Sequence, residues 1–307
     1  MTANELLALL GRAWSRLLIY PGGLAAFGVV WLISMFQHRI SARPPTRPDA
    51  RAGKAELPAR ASGRAENLLV LSSVILPWLA LALLPLPLAV ALPRQIDIVV
   101  ALALLEWPNV LAIRQELRAG GIRRLAAALN SYPPLILAVL ALAQANSSLE
   151  LAALVRDPGD SIALSTRALY WLGVITLTLT LLPALRIGPF AGYGRRTTND
   201  KAFPQTPDPS SIARFFAAGA LQLGLRLRAL GLVTLAALPW AGAAGDGLAL
   251  LRLLGAAALI GVLLWGADRL MRGQAARRWA WAYLALDVLL LLALLAAAYL
   301  ALELRLA

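Results

Sequence analysis

The sequence has no cysteine, one histidine and three methionines. Without cysteine the chain has no disulfide, thiolate nucleophile, iron–sulfur cluster or haem-attachment motif of its own. The lone His38, in the run Gln37-His38-Arg39, cannot build a zinc or haem site by itself and reads as a residue of a membrane–water edge. Acid is scarce as well, with 16 Asp+Glu against 29 Lys+Arg in 307 residues, and charged residues make up only 15% of the chain. A Gly-rich phosphate loop, a His-Glu-x-x-His helix, a Gly-x-Ser-x-Gly elbow and paired carboxylates in a polar setting are all missing. No catalytic or metal-ligating residue is therefore assigned.

What the chain has in quantity is apolar length. Hydrophobic residues make up 60% of it, and they fall into eight stretches: Leu17–Phe36, Leu68–Leu92, Ile96–Ile113, Pro133–Leu154, Ala168–Leu185, Ile212–Pro239, Leu248–Ala267 and Trp279–Leu302. A spanning helix satisfies its own backbone hydrogen bonds, and roughly 20 residues cross a hydrocarbon core about 30 Å thick. The pattern predicts an all-α polytopic membrane protein with about eight transmembrane helices, residues 1–307 forming a single transmembrane domain. The lead Met1–Arg16, with Leu6, Leu7, Leu9 and Leu10, has no cleavage-site pattern and reads as an interfacial amphipathic helix, not a signal peptide.

The basic residues alternate from loop to loop. Segments 37–66, 114–131, 186–211 and 268–278 hold 19 of the 29 Lys+Arg, whereas the opposite side holds only Arg12, Arg16, Arg94, Arg156, Arg167 and Arg305. By the positive-inside rule the Arg-rich loops face the cytoplasm and both termini lie on the outer, periplasmic side. The net charge of +13 is thus a matter of topology, and a nucleic-acid partner is not expected, because the cations sit in short loops between apolar spans. The bilayer itself is a partner.

Two of those loops are long. Residues 37–66 are rich in Arg, Pro, Ala and Gly and carry Arg39, Arg43 and Arg47; residues 186–211 are polar and turn-rich and carry Arg195 and Arg196. Such composition buries too little apolar area to order itself, so both read as cytoplasmic docking loops, with a solvated loop that also meets anionic lipid as the alternative for the first and a disordered connector for the second.

Charge inside a span is costly and is retained for use. The candidates are Glu106, Arg226, Arg228, Arg252 and Asp287, with Asp97 at an outer boundary. Of these Glu106, Asp287, Arg226 and Arg228 are taken as proton-relay candidates. Glu106 is expected two turns from the cytoplasmic end of its helix, free to snorkel or to pair with Arg114. Asp287 is the deepest acid. Arg226 and Arg228 lie about 200° apart around a helix and cannot share one face, so at least one needs a counter-ion, with Arg226–Asp287 or Arg228–Glu106 as the pairings this suggests. Pro77, Pro85 and Pro87 in the second span, and Pro133 and Pro134 opening the fourth, predict kinked or broken helices.

Several local runs follow an order found elsewhere. Gln37-His38-Arg39-Ile40-Ser41-Ala42-Arg43-Pro44-Pro45 comes just after the first span. An Arg-Ala-rich stretch, Arg123 to Leu129, leads into Asn130-Ser131-Tyr132 before an apolar helix. Ala145-Asn146-Ser147-Ser148-Leu149 makes an outer turn, Arg186-Ile187-Gly188-Pro189-Phe190 opens the long second loop, Phe215-Phe216 opens the sixth span, and Arg269–Arg278 precedes the eighth. In order and spacing these runs, over nearly the whole chain, resemble the first membrane subunit of respiratory complex I, the H subunit of bacterial NADH:quinone oxidoreductase, and its relatives in energy-converting hydrogenases. Several family carboxylates are replaced: Pro133 follows the Ser-Tyr pair, Ala184 and Ala191 flank Pro-Phe, and Gly219 stands at the sixth-helix position.

The resemblance implies a multi-pass protein of the bacterial cytoplasmic membrane. It would be a non-catalytic anchor subunit joining an iron–sulfur or hydrogenase-like peripheral arm to antiporter-like, ion-pumping membrane subunits. On the same ground Arg39, Arg43, Arg47, Arg123, Arg124, Arg195 and Arg196 would dock partners, and Tyr132 and Phe190 would be quinone-pocket-like. No cofactor is expected on the chain itself, with quinone at an interface with a partner subunit. The missing carboxylates imply a proton relay that is lost or rerouted through Glu106 and Asp287. The alternative reading is a stand-alone transporter or permease for an anionic substrate.

Overall fold

In a computed structural model, residues 14, 18, 20, 25–30, 64–87, 89, 97–118, 123–151, 164–193, 209–241, 247–271 and 276–306 are described. Beyond a helical segment at 25–30, the elements are α1 (Arg64–Leu83), α2 (Ile98–Arg118), α3 (Arg123–Asn146), α4 (Leu164–Leu179), α5 (Leu181–Ala184), a 3-10 turn η1 (Gly188–Tyr193), α6 (Pro209–Ala241), α7 (Gly247–Met271) and α8 (Ala276–Leu306). The single extended pairing among the described residues is a bridge between Asp97 and Glu150 that ties the start of α2 to the chain beyond α3.

The described residues are helical apart from their turns and one bridge, and among them six helices are long and apolar enough to cross a membrane: Ile98–Leu117, Arg124–Asn146, Thr166–Phe190, Gly219–Ala241, Gly247–Met271 and Arg278–Tyr299. A shorter apolar helix covers Leu68–Leu83. The expected interfacial lead and most of the first span lie outside the described residues, and six of the eight expected spans are present at full length among the described ones.

The prolines correct several expected boundaries. The second span ends as a helix at Leu83, leaving Pro85 and Pro87 in the turn beyond it. Pro133 and Pro134 do not open a helix but lie inside α3, which begins ten residues earlier at Arg123. The fifth span is interrupted at Thr180, between α4 and the short α5.

A proline inside a helix removes an N–H and strands the carbonyl four residues before it. Pro77 strands the Ser73 carbonyl, and Gly224 of α6 lies against that oxygen so closely that a Cβ there would run into it. Seven residues on, Gly231 admits the side chain of Leu105 in the same way. Pro183 strands the Leu179 carbonyl, which accepts a 2.7 Å hydrogen bond from the Tyr283 hydroxyl of α8. In lipid a freed carbonyl is tolerated where protein covers it, and both are covered.

α6 is the centre of the bundle, packed against α1, α2, α4 and α7, with Leu227, Leu232, Leu235 and Leu238 fully buried. α3 packs on α4 and α8 on the other flank. α7 buries only the stripe Ala249, Leu253, Ile260 and Leu264, the spacing of one helix face. Its remaining apolar surface, like that of α8, is exposed, as a lipid-facing helix requires.

Candidate functional site

Glu106 lies near the middle of the span Ile98–Leu117, not two turns from its end, because α2 runs on to Arg118. Three residues along the same helix is Asn109, and that spacing puts both on one face. Arg228 of α6 comes from near the middle of Gly219–Ala241. Its Nη2 donates to Glu106 Oε1 at 2.7 Å and its Nε to Oε2 at 2.9 Å, the parallel fork that binds a carboxylate best. The expected Arg228–Glu106 pairing is therefore present, and Glu106 does not depend on Arg114. Glu106 is 8% exposed and Arg228 3%.

Two buried charges offset their desolvation only when their remaining hydrogen-bonding capacity is also met. Glu106 Oε2 accepts from the Tyr132 hydroxyl at 3.1 Å and from Asn109 Nδ2 at 3.3 Å; Asn109 also donates to the Tyr132 oxygen at 3.0 Å. Arg228 Nη1 donates to the Ala184 carbonyl at 2.9 Å.

That carbonyl is free because of how α5 ends. Ile187 N–H bonds to the Leu182 carbonyl and Arg186 N–H to that of Pro183, the double closure of a Schellman cap, with Arg186 in the left-handed region at φ 56°. The Gly188 N–H, which could have taken the Ala184 oxygen, donates instead to Asp268 Oδ1 at 3.1 Å. Three helices, α2, α3 and α6, thus converge on a single carboxylate, with the end of α5 holding its arginine.

A second charged group continues from this centre. Glu116, near the end of α2, accepts the Arg124 backbone N–H on both oxygens at 3.1 and 3.2 Å, capping the positive end of α3, and also meets the Arg124 guanidinium at 3.3 Å. Arg124 and Arg186 lie within electrostatic reach of each other and of Arg228. The run Glu116, Arg124, Arg186, Arg228, Glu106 and Tyr132 is a chain of interacting charged and polar side chains from the α2–α3 turn to mid-span.

The other expected residues fall elsewhere. Asp287 and Arg226 are not brought together: Asp287 is on α8, which packs on α3 and α4, and Arg226 lines a cavity on the α1–α6–α7 side. Phe190 is fully buried against the Tyr283 ring at 5.7 Å between centroids, apart from the network that holds Tyr132. Arg39, Arg43, Arg47, Arg195 and Arg196 lie outside the described residues, and of Arg123 only the backbone, at the start of α3, is described. Asn109, Glu116, Arg186 and the Ala184 carbonyl were not anticipated. Only the three-residue spacing of Glu106 and Asn109 was there to be read.

The Arg226 cavity has a volume of about 480 Å³ and is apolar apart from Tyr20, Thr234 and Arg226, with walls that include Leu86, Leu253 and Gly261. The Tyr20 hydroxyl is fixed by donating to the Pro87 carbonyl at 3.0 Å. An apolar wall with few polar groups suits an amphipathic ligand such as a quinone, but neither Tyr132 nor Phe190 lines it. The chain matches no protein-family profile and no curated protein.

Proposed function

We propose that this chain is a charge-handling membrane subunit of a complex-I-like or energy-converting-hydrogenase-like oxidoreductase, joining a peripheral electron-transfer arm to ion-pumping subunits. One observation carries the reading: the Glu106–Arg228 pair with Tyr132 and Asn109, closed on all sides at mid-span. A purely structural anchor gains little from such a pair, since apolar residues of similar volume are commonly as stable or more so. A carboxylate at that depth has value as a proton acceptor.

Protonation of Glu106 would remove one acceptor position from the Arg228 fork, leaving the other oxygen and the Ala184 carbonyl to hold the guanidinium. On this reading proton arrival loosens the pair. Glu116, Arg124 and Arg186 supply the charged route toward the α2–α3 turn. With that turn at the cytoplasmic face and both termini outside, the Arg-rich loops 37–66 and 186–211 meet the peripheral arm, and quinone sits at the interface with a partner.

The test is purification from the native membrane in mild detergent. Co-purification of iron–sulfur and antiporter-like subunits in fixed stoichiometry, with proton translocation lost in Glu106→Gln, is the expected result. A fully active homo-oligomer overturns it. The Arg226 cavity favours a second reading, a stand-alone carrier for an amphipathic anion, and that outcome would support it.

A further inference from the structure

Among the described residues, two buried side-chain polar atoms lack a hydrogen-bond partner, Thr176 Oγ1 and Asp287 Oδ1. Helical hydroxyls ordinarily turn back onto their own helix. Those of Ser72, Ser73, Ser131, Thr178, Thr180 and Thr234 all do so, each donating to a carbonyl three or four residues earlier. Thr176, with no exposed surface, does not.

The two orphaned atoms belong to facing stripes. On α4, Leu169 and Leu172 pack against α8, and Leu179 offers its carbonyl to Tyr283. Thr176 falls on the same stripe, four residues after Leu172 and three before Leu179. On α8, Tyr283, Leu286 and Leu290 face α3 and α4, and Asp287 lies one turn after Tyr283 in that stripe. The Tyr283–Leu179 bond fixes the register of the antiparallel pair, so both orphans fall at mid-span, on the α4 side of α8. Native proteins rarely bury unsatisfied polar atoms, and in lipid an isolated carboxylate is more costly still.

We propose that Thr176 and Asp287 form a hydrated proton-binding site in the seam between α4 and α8, separate from the Glu106–Arg228 centre. One bound water bridges the hydroxyl and the carboxyl, and Asp287 exchanges the proton. The seam around it holds the cluster of Leu137 and Ala141 from α3, Leu169 and Leu172 from α4 and Leu290 from α8, with Tyr283 one turn before Asp287 and Phe190 of η1 against Tyr283. Tyr283 alone among these is titratable, and its hydroxyl is committed to Leu179. Among the described residues Asp287 forms no ion pair, unlike Glu106 with Arg228.

The site does not depend on partner subunits, so it is tested on the purified full chain in lipid nanodiscs by infrared spectroscopy across a pH titration. The expected result is a protonated-carboxyl band that shifts in heavy water and is lost in Asp287→Asn. Thr176→Val should move the band, and Thr176→Ser should return it. A band that survives Asp287→Asn, or its absence from the wild type at every pH, overturns the proposal. So does a band that ignores both heavy water and Thr176→Val, which would mark a dry seam. Thermal midpoints of the same variants identify any that fail to fold; for those, heavy-water sensitivity of the wild-type band decides.

Discussion

Arg228 reaches Glu106 across 122 positions of sequence and grips it with two parallel hydrogen bonds. Removing one partner of a buried pair leaves the other charge stranded, at a cost of about 3–5 kcal/mol. Glu106→Gln and Arg228→Met alone should each lower the thermal midpoint in detergent sharply. The double variant should recover most of the loss, because no buried charge remains. Additive losses would mean that the two side chains do not depend on each other.

Two glycines of α6 should respond differently to the same methyl group. At Gly224 the obstacle is the Ser73 carbonyl, part of a backbone that cannot move without shifting α1, whereas at Gly231 it is the flexible end of Leu105. Gly224→Ala should cost about 1–3 kcal/mol through overpacking, and Gly231→Ala clearly less. Gly255 of α7 has open space, so Gly255→Ala should stabilise by about 0.5–1 kcal/mol from helix preference alone. Midpoints measured by fluorescence-detected size exclusion would rank the three.

Arg186 closes α5 from the left-handed region, where a side chain costs about 1–2 kcal/mol that glycine does not incur. Arg186→Gly should raise the midpoint and Arg186→Val lower it. On the proposed reading proton translocation should fall in both, since each removes a charge from the run between Glu116 and Glu106. A glycine variant that is more stable and fully active would show that the arginine has no part in charge handling.

Hydrophobic run length was enough to reveal the six long helices among the described residues, because in lipid the backbone has few other ways to satisfy itself. Helix ends were less legible. Pro133 and Pro134 read as the opening of a span but lie within α3, whereas Pro77 lies within its helix as expected. Neighbouring elements can cover what a proline strands, as Gly224 covers Ser73. The Arg228–Glu106 pairing followed from the need for a counter-ion, since few acids occur within the spans. Asp287 was paired with Arg226 by the same logic, and it failed because facing stripes depend on packing order, which the sequence does not encode locally. The αL turn at Arg186 carried no signal, as the residue there is not glycine.

Two tyrosine hydroxyls allow a comparison between losing one bond of several and losing the only one. Tyr132 is one of three donors to Glu106 Oε2, so Tyr132→Phe leaves that oxygen still held by Arg228 and Asn109. Its stability cost should be about 0.6 kcal/mol, the size typical of hydrogen bonds between membrane helices. Tyr283 is the donor to a carbonyl that Pro183 has deprived of its helical partner. Tyr283→Phe leaves that acceptor unmet within the span, which should cost about 1–3 kcal/mol. The functional order should be the reverse. If Glu106 accepts protons as proposed, Tyr132→Phe should slow translocation, while Tyr283→Phe, remote from Glu106, should leave the rate per folded complex unchanged. Equal effects of the two on translocation would dissociate Tyr132 from proton movement.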